Sequence, residues 1–368
     1  MTPIRRLALN TGGGDAPGLN AVIRAVVLTG LNRGWEIYGI REGYDGLLSG
    51  DPQGVIRLDK ESVRDLTHLG GTILGTTNRG NPLEWPVTLP DGSVEVRNRS
   101  EEVVEAFRRR GLDALVAIGG DGSLSIASGL HEAGLPVIGV PKTIDNDLAA
   151  TQVTFGFHTA VQTATDALDR LRSTAQSHRR VMVVEVMGRD TGWIALFAGL
   201  SGSAHVILIP EIPYDSDAIV RRLQREYEAG GAQYGIVVAA EGARTQGGDT
   251  HVTHPGKAGA APRYGGIADS LAREIGERSD METRSMVLGH LQRGGQPTAY
   301  DRLLALRFGA AAVELVAEGR FGCMVALDPP KILAVPLKQA IAERKQVPVD
   351  GDVVRTARAL GIGFGDEK

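Results

Sequence analysis

Residues 139–148 read GVPKTIDNDL, and the runs on either side of them decide the fold. Upstream, Leu112–Gly119 is an apolar run that ends in Gly120-Asp121-Gly122-Ser123. A second apolar run, Pro136–Val140, ends in Pro141-Lys142-Thr143-Ile144-Asp145-Asn146-Asp147. Short, continuous apolar runs suit strands covered on both faces. Each run discharges into a loop of glycine, hydroxyl side chains and carboxylates, and Asp121 and Asp145 stand 24 residues apart. In open α/β sheets ligands bind at the carboxyl ends of the strands. This pair of loops is therefore the expected seat of the chemistry.

Working outward, residues 4–11 predict a first strand, Gly12–Gly18 a glycine-rich turn, and Leu19–Arg33 a helix closed by Gly34. Such a turn aims backbone N–H groups at an anion, although taken alone it fits a plain sharp bend equally well. Trp35–Ile40 predicts a second strand with Arg41–Gly46 as its outgoing loop. Residues 70–82 form another glycine-rich loop, too polar for core, whose Arg79 could reach a phosphate. Glu101–Arg110 and Ser123–Ala133 predict helices, the second with Ser123 as its N-cap. Beyond the central stretch, strands are expected at Val181–Val186, Ala204–Ile209, Gly235–Ala240 and Glu282–Leu288. Helices are expected at Thr159–Arg172, Ser216–Ala229, Ile267–Arg278 and Asp301–Glu318. Residues 245–264 lack periodicity and predict a loop, and little pattern is left from Ala334 onward. Alternating strands and helices mean parallel sheets with right-handed crossovers. The predicted architecture is doubly wound α/β in two Rossmann-like units, changing over near residues 150–160.

Composition narrows the class. A length of 368 residues favours two domains. Net charge is −4, which gives no basic footprint for nucleic acid. The single cysteine, Cys323, excludes an internal disulfide and fits a reducing compartment. No apolar run approaches the ~18 residues of a membrane span, and no secretory leader pattern opens the chain. The expectation is a soluble, cytoplasmic protein with neither membrane nor nucleic-acid partner. Forty-nine glycines, well above the average share of about 7%, cluster after apolar runs, where a ligand would need close backbone approach.

The chemistry-bearing groups sit in loops after strands. Gly119–Ser123 offers a carboxylate for Mg²⁺ and backbone access for phosphates, while Thr143–Asp147 offers two carboxylates and a hydroxyl. Met187-Gly188-Arg189 and His290-Leu291-Gln292-Arg293 add cations and an imidazole. Arg180 and Arg284 stand before or inside apolar strands, where a charge is costly unless it meets an anion. Asp15 reads as a turn residue, Asp147 divides between ligand and helix-cap roles, and the histidines outside 289–295 show no metal-ligand spacing.

Five motifs in order, GGGDAPGLNA (12–21), GGDGS (119–123), PKTIDND (141–147), MGRDTG (187–192) and GHLQRGG (289–295), make the chain resemble the 6-phosphofructokinase family over roughly residues 5–310. The resemblance implies transfer of a phosphoryl group, from ATP or in some branches pyrophosphate, to O1 of fructose 6-phosphate with Mg²⁺. It implies Asp145 as general base, Thr143 and Arg189 as its catalytic neighbours, and Asp121 as the metal's carboxylate. It implies nucleotide contacts from Gly14, Arg79, Gly80, Gly120, Asp121, Gly122 and Ser123. Sugar-phosphate contacts would come from Thr143, Ile144, Asp145, Met187, Gly188, Arg189, Glu241, His290, Leu291, Gln292 and Arg293. Arg180 and Arg284 would reach the 6-phosphate from a neighbouring subunit, implying a homo-oligomer, dimer or tetramer, with shared sites. The implied domains are 1–156 for nucleotide, joined by part of 294–340, and 157–293 for sugar phosphate, with 341–368 as a tail.

Two residues bear on the donor and point in opposite directions. Position 122 is Gly, where the pyrophosphate branch has Asp; Lys142 is shared with that branch. A carboxylate at 122 would clash with and repel a nucleotide's α-phosphate, whereas an added ammonium excludes nothing, so ATP is the expected donor. The alternatives are a pyrophosphate-dependent enzyme and a silent regulatory subunit, the latter opposed by the retention of Asp121, Asp145, Arg189 and Arg293. A dinucleotide-dependent oxidoreductase is opposed by the lack of G-x-G-x-x-G after the first strand. The loop 245–264 and the longer tail depart from the simplest bacterial pattern, and no effector regulation is carried over.

Overall fold

The structure is a computed structural model and describes residues 4–77, 80–228, 233–248, 252–254 and 263–367. It divides into two compact units, residues 1–158 with 293–344, and residues 159–292 with 345–368.

The first unit opens with β1 (Arg6–Thr11), α1 (Leu19–Asn32), β2 (Glu36–Ile40), the short α2 (Asp45–Leu48) and β3 (Val55–Leu58). A hairpin of β4 (Trp85–Thr88) and β5 (Val94–Arg97) precedes α3 (Ser100–Arg109), β6 (Ala114–Gly119), α4 (Asp121–Glu132), β7 (Val137–Thr143) and β8 (Phe155–Gly156). The next helix, α5, runs Phe157–His178, longer at both ends than expected.

The second unit carries β9 (Val181–Val186), α6 (Trp193–Ser201), β10 (Val206–Leu208), α7 (Ser216–Glu228) and β11 (Gly235–Ala240). A pair of short strands, β12 (Val252–His254) and β13 (Arg263–Tyr264), is antiparallel, so the expected loop at 245–264 holds some regular structure. Then come α8 (Ile267–Arg278) and β14 (Thr283–Val287). The chain returns to the first unit with α9 (Ala299–Ala317), β15 (Cys323–Asp328), β16 (Lys331–Pro336) and α10 (Leu337–Ala340). The stretch expected only as a tail contains α11 (Asp352–Ala359). Beyond it Phe364 is fully buried and Gly363 pairs with Val206 at the free edge of β10.

In the first sheet the strand order is β16-β15-β7-β6-β1-β2-β3, with β8 on β7. Its interior pairs are parallel; β3 and β16 run antiparallel at the two edges. Alternate strand residues such as Ala8, Leu115 and Ala117 join α3 and α4 in one apolar cluster. Leu7, Leu9 and Val116, between them in sequence, are fully buried on the opposite face, where α1 and α9 pack. Both faces are covered, which is why these strands read as unbroken apolar runs. The second sheet, β10-β11-β9-β14, is entirely parallel.

The order of the first sheet reverses beside β1: β2 follows on one side, whereas β6 and β7 lie on the other. Such a reversal opens a crevice at the carboxyl ends of the strands. Three of the loops singled out above leave from this point, after β1, β6 and β7. The loop at 70–77 is less polar in its packing than its composition predicts. Leu74 is fully buried, Gly13 N donates to Thr77 O at 3.0 Å and Thr11 Oγ1 donates to Gly75 O at 2.6 Å. Asn20, itself buried, fastens the same loop through Leu69, Gly70 and Ile73. An apolar anchor and a buried amide inside helix α1 thus draw a polar loop into the core.

Candidate active site

Ser123 joins the loops of the first unit. A Cβ built on Gly12 would come within 2.7 Å of Ser123 Oγ, and one on Gly119 within 2.2 Å of Ser123 Cβ. Only glycine lets these backbones close around the serine. This corrects the N-cap expectation: α4 starts at Asp121, Gly120 caps it in extended conformation, and the cap makes no side-chain hydrogen bond. The first-turn N–H groups of a helix lack intrahelical partners and favour an anion. Here Asp121, Gly122 and Ser123 supply them at the crevice. Nothing lies within 4 Å of a Cβ placed on Gly122, so that position opens into free space. Gly80 lies beside Asp45 and Trp85; with Asn10, Gly12, Gly13, Tyr44 and Thr77 it lines a small cavity of about 30 Å³. Arg79 falls outside the described residues.

The second strand-end loop supplies charge. Strand β7 runs through Pro141-Lys142-Thr143, beyond the expected end at Val140, because β8 pairs with Lys142 and Thr143. Lys142 is therefore buried, 3% exposed, and its ammonium donates to the carbonyl of Gly14. Burial, helped by the neighbouring Arg293 charge, draws its pKa down to about 8, against the pull of Asp145, Asp15 and Asp147. Arg293 Nη1 lies where a Gly14 side chain would begin, 2.9 Å from its Cβ position, and donates to Asp15 O at 3.3 Å. Arg293 is the first residue of the segment that returns to the first unit, and it stands beside the first glycine loop.

Asp145 sits in a turn locked from three sides. Its N–H donates to Thr143 Oγ1 at 3.1 Å. Thr154 Oγ1 donates to Thr143 O at 2.7 Å, and Thr154 N donates to Asn146 Oδ1 at 3.2 Å. Asn146 takes the left-handed φ of 52° that turns the chain, a conformation Asn tolerates. Ile144 is fully buried and can offer a ligand backbone alone. Burial, then Asp145, push the carboxyl of Asp147 up to about 6, and Asp121 adds to the push while Arg344 opposes it. Neither Asn146, Thr154 nor Arg344 was singled out from the sequence. The first two are ordinary polar residues there, and the third lies in a charged stretch without pattern.

The donor set near these loops suits a hard cation, since it is carboxylate oxygen and its mutual repulsion calls for positive charge. Among the described residues no three such groups converge into a cage. The few carboxylates that do act on one another here, Asp121, Asp145 and Asp147, suit Mg²⁺, which takes one or two carboxylates and completes its shell with water and phosphate oxygens.

In the second unit, the loops after β9 and β11 and the 3₁₀ turn Gly289–Gln292 form another group. A Cβ on Gly242 would fall 1.8 Å from Arg189 O, so the β11 loop presses against the Arg189 backbone as only glycine allows. Gly242 N donates to Gly188 O at 3.1 Å, and Glu241 N to Val186 O at 2.9 Å. The Arg189 guanidinium pairs with Asp190 at 2.8 Å. Gln292, fully buried, accepts from Met187 N at 3.3 Å and donates to Gly289 O at 3.1 Å. It is a positioning residue for both motifs, while His290 and Leu291 are exposed. Strand β14, read with the apolar strands, is an exposed edge, with Met286 41% and Val287 50% accessible. Arg180 and Arg284 meet there on one carboxylate, Glu282, at 2.9 and 2.5 Å.

A helix N-terminus free of side-chain caps, a buried ammonium and a locked carboxylate turn thus stand together at the strand ends of a doubly wound α/β frame. Residues 6–316 match the phosphofructokinase family. The chain is 48% identical over 369 residues to ATP-dependent 6-phosphofructokinase 2 of Clostridium perfringens, covering 100% of both. It is 51% identical over 346 residues to pyrophosphate–fructose 6-phosphate 1-phosphotransferase of Amycolatopsis methanolica, covering 93% of this chain and 96% of that one. Among solved structures, Pichia pastoris phosphofructokinase in the T-state superposes with a TM-score of 0.80 at 31% identity. That match covers 93% of this chain and 36% of the larger one. This chain belongs to the phosphofructokinase family.

Proposed function

We propose that the chain transfers the γ-phosphoryl group of ATP to the 1-hydroxyl of fructose 6-phosphate. The observation that carries this reading is the meeting of Gly12–Gly14, Gly120–Ser123 and the Lys142–Asp145 turn at one reversal point of the first sheet. The amides at the start of α4 bind donor phosphate oxygens. Lys142 and Arg293 offset the charge that builds on the transferred group, which is most of what phosphoryl transfer asks of a protein. Asp145 accepts the proton of the 1-hydroxyl as that oxygen bonds to the γ-phosphorus and the bond to the ADP oxygen breaks. Thr143 orients the phosphoryl group. Asp121 would hold Mg²⁺, which when bound neutralises the donor's phosphate oxygens.

The second unit takes the sugar phosphate. Arg189, Glu241, His290 and the backbone of Met187 and Gly188 supply its contacts, set in place by Gln292 and Gly242. The open β14 edge, with Arg180, Arg284 and the exposed Met286 and Val287, meets a second copy of the chain, so the two arginines reach the partner's 6-phosphate. Among the described residues no helix is long and apolar enough to cross a membrane, and a cytoplasmic setting suits ATP as donor.

A second reading, with pyrophosphate as donor, is favoured by buried Lys142 and by the name of the Amycolatopsis relative. The open space at Gly122 favours the longer nucleotide. A coupled assay for fructose 1,6-bisphosphate with ATP, Mg²⁺ and fructose 6-phosphate tests the reaction itself. Steady product formation is expected; failure to form product with either donor would refute the assignment.

A further inference from the structure

Arg344 lies just past α10, in a charged stretch that no motif covers. Its backbone pairs antiparallel with Leu148, the residue after Asp147. Its guanidinium stands 3.8 Å from the Asp121 carboxylate, both side chains being a little over a third exposed. The same charge bears on Asp147, which Asp145 and Asp121 crowd. A cation from the far end of the first unit is thus delivered to the carboxylates that leave β6 and β7.

We infer that Arg344 is a positioning residue of the donor site, holding Asp121 in place as a counter-ion until a divalent cation arrives with the donor. The inference rests on the reading of Asp121 as the metal's carboxylate. Carboxylates clustered at two adjacent strand ends repel one another, and without a cation among them they would attract a free metal ion unaccompanied by phosphate. A pair more than a third exposed and 3.8 Å apart is weak and screened, so it yields readily to an ion that brings a triphosphate with it. The backbone bridge to Leu148 fixes where the side chain starts, so replacing the side chain removes the charge without releasing the segment.

The test is Mn²⁺ binding to the nucleotide-free protein, followed by electron paramagnetic resonance of the free ion. Arg344→Met is expected to bind Mn²⁺ roughly two- to fivefold more tightly than the unmutated protein. Arg344→Lys should stay near the unmutated value, and Asp121→Asn should bind several-fold more weakly. In steady state, Arg344→Met is expected to raise KM for Mg-ATP while leaving KM for fructose 6-phosphate unchanged. If Arg344→Met fails to fold, Arg344→Gln carries the same comparison. Unchanged Mn²⁺ affinity in a folded, charge-free variant, with Asp121→Asn weakened, would overturn the role of Arg344 alone. Unchanged affinity in Asp121→Asn would overturn the metal reading of Asp121, and this inference with it.

Discussion

In the first unit Lys142 is buried among Gly14, Arg293 and the Asp145 turn, whereas on β14 Arg284 lies in the open beside Met286 and Val287. One cation has its surroundings complete within its own unit; the other shares a single carboxylate, Glu282, with Arg180. The buried ammonium is held at a cost visible in its lowered pKa. The exposed guanidinium costs little and does little until something covers the edge. On the proposed function the two cations part accordingly: the donor half would be built by packing within the chain, the 6-phosphate half by a second copy meeting the β14 edge.

The largest effect is expected at the complete half. Asp145→Asn should lower kcat by about 10²–10⁴-fold while fructose 6-phosphate binding and the melting temperature stay near those of the unmutated protein. Retention of more than about a tenth of kcat would show that the proton goes elsewhere. At the exposed half, Arg284→Ala should raise KM for fructose 6-phosphate by roughly ten- to a hundredfold, the scale of a lost charge-assisted hydrogen bond. Mixing Arg284→Ala with Asp145→Asn protein should restore activity through hybrid sites. No recovery, once subunit exchange is verified by an independent label, would make both halves intrachain and dissolve the contrast.

A smaller effect concerns Lys142 and pH. Its folded pKa of about 8 lies below the ordinary lysine value, so above about pH 8 the folded chain loses a proton that the unfolded chain keeps. Fewer protons bound in the folded state mean that this group's stability contribution improves as pH rises between the two values. Its charge on the transferred group fades over the same range. kcat/KM for ATP should therefore fall about tenfold between pH 7 and pH 9. In Lys142→Arg, where the cation does not titrate, that alkaline limb should vanish; a limb that persists unchanged would assign it to another group.

Strand–turn–helix alternation made the frame legible, because strands covered on both faces must be apolar throughout and their exits must be glycine-rich. The limits of legibility have particular causes. β7 continues through Lys142 because β8 pairs with it, and a buried charge inside a strand leaves no apolar signature. Ser123 has the composition of a helix cap but serves as a wedge between two glycine backbones. β14 reads as a strand, but its place at the sheet edge does not follow from its residues, because strand content alone does not say which neighbours exist. Arg344 sits in Glu343-Arg344-Lys345-Gln346, indistinguishable in sequence from a solvated tail, and only its bridge to Leu148 brings it to Asp121.

The choice of donor is tested by the ratio of turnover with ATP to turnover with pyrophosphate, each saturating, with Mg²⁺ and fructose 6-phosphate held constant. Gly122 opens into free space at the start of α4, where on the proposed function a nucleotide's inner phosphate would find both room and amide donors, and Gly122→Asp would place a like charge there. A ratio well above one is expected for the unmutated enzyme, and its loss in Gly122→Asp. Faster turnover with pyrophosphate by the unmutated enzyme would contradict it and give Lys142, rather than Gly122, the decision over the donor.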